Sequence, residues 1–174
     1  MKHVLILSFL VLMSCDNQQD NTVLFQDAYS AVFESFADLG IKDPSVFRTL
    51  DKSLDENMIR QDLNTDLKKT LDRMGFNFEH TISIWEKYKG KDLSAYVTEE
   101  HLHFLVPMNS NLDSGTRVSF SAPVFNNDTS FFFLYMVFEM NEEDRVKRSH
   151  QYLMYGKEKE SWKWMMSTSN YPDN

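Results

Sequence analysis

The chain has 174 residues, of which 42% are hydrophobic and 14% aromatic; this is enough for one domain with its own core and excludes an intrinsically disordered protein. Five glycines and four prolines exclude collagen-like and low-complexity chains. Eighteen Lys and Arg against 26 Asp and Glu leave a net charge of −8, which argues against a nucleic-acid partner, and a single cysteine excludes an internal disulfide framework and a cysteine-rich zinc site.

Met1, Lys2 and His3 form a short basic start. Residues 4–13 are then apolar except for Ser8, with Ser14 and Cys15 next. As a helix, ten residues rise about 15 Å, half the hydrocarbon thickness of a bilayer, so the stretch is too short to span. A basic start, an apolar run and a small residue ahead of a processing point form a secretory signal. Leu12, Met13, Ser14 and Cys15 resemble the lipobox of bacterial lipoproteins. That resemblance implies cleavage between Ser14 and Cys15, lipid on the Cys15 sulfur and acylation of the new amino group. Several acyl chains anchor stably where one is marginal. Residues 1–14 are then a signal peptide, and their loss takes away one lysine and no acid, so the −8 of the full chain becomes −9. The polar residues 15–21 read as a tether, and residues 22–170 as a single domain.

Residues 22–39 have helical spacing through Leu24, Phe25, Ala28, Val32, Phe36 and Leu39, with Gly40 as a stop. Residues 41–54 fit two patterns. Asp43 and Pro44 suit a helix start, whereas Val46, Phe47 and Thr49 suit a short strand. In residues 61–74, Leu63, Leu67, Leu71 and Met74 predict a helix that ends before Gly75, with Lys68, Lys69, Asp72 and Arg73 on a solvated side. Residues 76–89 alternate through Phe76, Phe78, His80, Ile82 and Ile84, which is strand-like, although Trp85 and Tyr88 break the pattern. Lys87, Lys89 and Lys91 make a small basic turn in an acidic protein. It reads as a solvated turn, with contact to anionic headgroups, worth about 1 kcal/mol per basic residue, as the alternative.

The last sixty residues carry the β signal. Residues 117–125 alternate, residues 126–129 (NNDT) are a turn, and residues 130–140 are apolar on both faces. A strand of that kind belongs in the middle of a covered sheet. Residues 149–155 return, residues 156–160 turn, and residues 161–169 return again with Trp162, Trp164 and Met166 on one side. The fold expected is α+β, with N-terminal helices packed on a C-terminal antiparallel β-meander. This half resembles a group of small bacterial lipoproteins and secreted proteins of unassigned function. The shared elements are Ser121-Ala122-Pro123-Val124-Phe125, the polar turn, the apolar strand, and a hairpin from Gly156 that closes on Trp162. Those relatives often carry a Cys-Gly pair after the apolar strand, where this chain has Glu139, Met140, Asn141 and acids. The resemblance implies a fold and no activity.

His101 and His103, after Glu99 and Glu100, are the one metal-like cluster and a weak one. On a strand the two share a face and can grip an ion; on a helix they diverge by about 200°. No metal or other cofactor is expected. Glu139, Glu142, Glu143 and Asp144 read as a solvated hairpin tip, because the spacing of a calcium loop is missing. No G-x-S-x-G, phosphate-binding glycine loop or H-E-x-x-H occurs, so no catalytic residue is singled out. The expectation is a lipid-anchored protein of the bacterial cell envelope, bound to its membrane through Cys15. Its domain is expected to be a noncatalytic module for a protein or small-molecule partner. The alternatives are an envelope hydrolase with a carboxylate-lined pocket and a protective, immunity-type lipoprotein with an acidic surface for a basic partner.

Overall fold

The computed structural model describes residues 17–51, 65–107, 116–142 and 145–170. The signal segment with Ser14 and Cys15, residues 52–64 with Leu54 and Leu63, and the acids Glu143 and Asp144 lie outside them.

The doubly apolar strand organises the molecule. β5 (Phe131–Glu142) pairs antiparallel with β3 (Thr116–Phe120) and β4 (Val124–Phe125) along one edge and with β6 (Arg145–Glu158) along the other. Residues 132–137 are all buried, as a strand covered on both faces requires. β7 (Ser161–Asn170) extends the meander beyond β6.

The fold class is the expected α+β, but the sheet is mixed rather than purely antiparallel. β1 (Pro44–Phe47) runs parallel to β3 and to the two-residue β2 (Leu105–Val106), giving seven strands in the order β2-β1-β3-β5-β6-β7 with β4 beside β5. Of the two patterns read in residues 41–54, the strand is the one adopted. Asp43 has φ 45°, which turns the chain into β1 and does not start a helix. This parallel part escapes local patterning because its strands are short and their partners lie far off in sequence.

Helices cover both faces. α1 (Asn17–Glu34) places Phe25, Ala28, Tyr29, Val32 and Phe33 against one face, where Phe120 meets the rings of Tyr29, Phe33 and Phe36. The helix begins at Asn17, five residues before the expected start. Residues 17–21, which the sequence reads as part of a polar tether, therefore have helical backbone. A turn over residues 35–40 follows, and Gly40 at φ 72° lets the Ile41 amide donate to the Phe36 carbonyl at 2.9 Å.

On the opposite face lie α2 (Thr65–Arg73), which buries Leu71, and α3 (Phe78–Tyr88). α3 corrects the strand-like reading of residues 76–89. Thr81, Ile82, Trp85 and Tyr88 are its buried residues, and this spacing of three and four is helical. Trp85 and Tyr88, which broke the alternation, are the residues that carry the true period. The Asn77 side chain accepts from the His80 amide at 3.0 Å and caps the helix. Trp85 donates from Nε1 to the Ala122 carbonyl at 2.8 Å and meets Phe133, Tyr135 and Tyr152. This fixes α3 to the sheet.

Candidate interaction surface

The two sequence-predicted histidines sit on a 3-10 helix, Glu99–Phe104, and turn to different partners. His101 Nδ1 shares a hydrogen bond with Thr98 Oγ1 at 2.9 Å, and its ring stacks on Phe33 with centroids 5.1 Å apart. His103 Nδ1 approaches the Glu100 carbonyl at 2.6 Å, and its ring lies against Phe104. Among the described residues no group of three or more His, Cys, Asp or Glu side chains is placed to hold a metal ion. His80 is exposed on α3, and His150 is hydrogen-bonded through Nδ1 to the Tyr135 hydroxyl.

The acids are as dispersed. Glu139 faces Arg148 at 3.7 Å. Asp128 closes its turn by accepting from the Ser130 amide at 3.1 Å and hydroxyl at 2.5 Å, and these bonds hold its carboxyl below the usual range. An open groove of about 520 Å³ between α2 and the start of α3 is lined by Lys68, Asp72, Asn77, Glu79 and Asn127 among others. Asp72 and Glu79 are exposed there, and Lys68 lies over the Phe78 ring. The groove brings two carboxylates to one place without burying either.

A different surface stands out at the end of the sheet. β7 is an edge strand: β6 pairs with one side of it, and no described strand pairs with the other. Edge strands usually carry charge or stay short, because an open ladder pairs with other chains. β7 is ten residues long and exposes Trp164 (40%), Met165 (53%) and Met166 (38%) in succession.

A register shift at Met154 and Tyr155 pairs Tyr155 with Trp164 and Met154 with Met166. Paired residues share a face, so Trp164 lies on the α1 face and Met166 on the opposite one. Trp162, paired with Lys157, and Trp164 share one side as expected, whereas Met166 does not; the bulge, which alternation in a single strand does not reveal, separates it from them. It also leaves Met165 beside Gly156, where an added Cβ would stand 2.6 Å from the Met165 sulfur. Gly156 is thus a residue of β6 and not the start of a turn. The reversal comes at Lys159, with φ 57°, and Glu160.

Below the edge, Trp162 is half-buried against Phe132 and Phe125, and Lys157 Nζ lies 5.7 Å from the centre of its ring. Met166 lines a small apolar recess with Leu67, Leu71, Phe133, Tyr152 and Met154. The edge is therefore one that no described strand pairs, flanked by apolar side chains on both faces. That arrangement suits strand addition, in which main-chain bonds supply affinity and alternate side chains supply specificity. Sequence alone reveals the residues (SWKWMM) but not their exposure. No protein-family model, curated protein or solved structure matches the chain.

Proposed function

We propose that the protein is a lipid-anchored component of a bacterial cell envelope, held through Cys15, whose folded domain is a noncatalytic binding module. The observation that carries the binding role is the β7 edge, which no described strand pairs, with Trp164, Met165 and Met166 exposed in succession on its two faces. The partner that fits is a protein offering an extended segment with apolar side chains on both sides of its backbone. An aromatic and methionines along one exposed strand supply the adaptable contact that peptide docking uses. The anchoring role rests on Leu12, Met13, Ser14 and Cys15, whose resemblance to the lipobox stands on those residues alone.

A photo-crosslinking residue at position 165, in the full chain expressed in its envelope, tests the binding role. The expected result is one defined adduct that is absent when the probe stands at exposed Asp38. The isolated partner should also slow amide exchange in β7 and not in β3. Equal labelling from both positions, or turnover of an envelope substrate by the purified protein, would overturn the reading.

A further inference from the structure

We propose that the basic turn at residues 87–91 faces the membrane and seats on its anionic lipid headgroups; this rests on the lipid anchor at Cys15. The structure brings together two features that lie seventy residues apart in sequence. The first is the helix from which the chain leads back to Cys15. α1 starts at Asn17, only two residues after the cysteine, a reach of at most about 7 Å. From Asn17 to Phe25 the helix rises about 12 Å. Phe25 is buried, whereas Val23 before it is exposed. A helical spacer fixes which end of the domain lies near the lipid, as a flexible tether would not.

The second feature is the basic turn itself. The Phe25 ring meets Tyr88 at 5.0 Å and Tyr96 at 5.4 Å. Tyr88 ends α3, and its ring carries Lys87 Nζ at 5.3 Å and Lys91 Nζ at 4.7 Å. Both lysines are exposed, and neither makes an ion pair among the described residues. Lys89 pairs with Glu86 at 3.5 Å. Asp92, the other acid of the turn, is held by the Ser94 hydroxyl and amide at 2.7 and 2.9 Å and feels Arg48. In the turn and the 48–51 segment hydrogen-bonded to it, Arg48, Lys87, Lys89 and Lys91 outnumber Glu86, Asp92 and the buried Asp51 by one, on a chain whose total is −8. Charge of this sign, packed through Tyr88 against the half of α1 that leads back to the anchor, complements an anionic leaflet. The anchor would hold lipid headgroups within reach of this surface.

The full chain, processed in a bacterial host, is reconstituted in vesicles of phosphatidylcholine alone or with about one-third phosphatidylglycerol, and its lysines are acetylated by a water-soluble reagent. Lys87 and Lys91 should react about fivefold more slowly on the anionic vesicles, the partition expected of one basic residue at such a surface. Lys42, beyond the far end of α1, should react alike on both. The protection should vanish in about 1 M salt, where the screening length falls to about 3 Å. Protein that floats with neutral vesicles but shows equal Lys87 and Lys91 reactivity on both would overturn this inference and leave the anchor intact. Protein that floats with neither, and carries no lipid by mass, would overturn the anchor and this inference with it.

Discussion

β5 and β7 are both rich in large apolar residues, yet they do opposite things. Phe132, Leu134 and Met136 of β5 are fully buried between α1 and the opposite helices, whereas Trp164, Met165 and Met166 of β7 are 38–53% exposed. Residue type does not separate them; position in the sheet does. A central strand finds neighbours on both edges and both faces. A terminal strand keeps one edge open, and here a bulge turns its apolar side chains outward on both sides. Hydrophobicity therefore marks the core in one strand and an available surface in the other.

Substitutions should divide along the same line. Leu134→Ala removes a fully buried side chain and should cost about 3–5 kcal/mol in urea unfolding. A loss under about 1 kcal/mol would mean that β5 is not the packed centre.

The buried tyrosines of the α1 face give the next effect. Tyr29 donates to the Ser121 carbonyl at 2.9 Å, and Tyr155 shares a 2.5 Å bond with Ser35. Burial pushes both hydroxyls well above the ordinary tyrosine value. Above pH about 10 the unfolded chain ionises these groups and the folded chain does not. The folded state then holds more protons, so the contribution of these two groups should be constant below that pH and make stability fall as pH rises beyond it. The midpoint of urea unfolding, followed from pH 8 upward, checks this, and a flat profile would contradict it.

Asn126→Ala should come next. Its buried amide donates to the Met74 carbonyl at 2.9 Å and to Ser130 Oγ at 3.2 Å, and accepts from the Phe131 amide at 3.0 Å. Truncation leaves two backbone groups without these bonds, at a cost of about 2 kcal/mol, measurable by the same unfolding.

Met165→Ser on β7 should change stability by less than about 0.5 kcal/mol while weakening partner capture. A large stability loss would place Met165 in the core and remove it from the binding surface.

Much of this contrast was legible in the sequence, and the misses share a cause. The run at residues 131–138 announced a covered strand, and the spacing of Phe25, Ala28, Val32 and Phe36 announced α1. Tyr29 and Phe33, equally buried, widen the same helical stripe by one position on its side. In α3, Phe76, Phe78, His80 and Ile82 alternate as in a strand, but the cap at Asn77 and the buried Trp85 and Tyr88 make the segment a helix. The parallel β1 and β2 depend on partners 59 or more residues away. For the candidate surface, the residues of β7 were visible but their exposure was not, since exposure follows from strand order. The proximity of Lys87 and Lys91 to α1 needed the Phe25–Tyr88 contact, which no local pattern encodes.

All of the membrane reading depends on one covalent event at Cys15. Intact mass of the protein extracted from its host membrane measures that event directly. A chain that begins at Cys15, lacks residues 1–14 and carries the added mass of acyl chains is the expected result. A chain that still begins at Met1, or one with an unmodified thiol at Cys15, would contradict it.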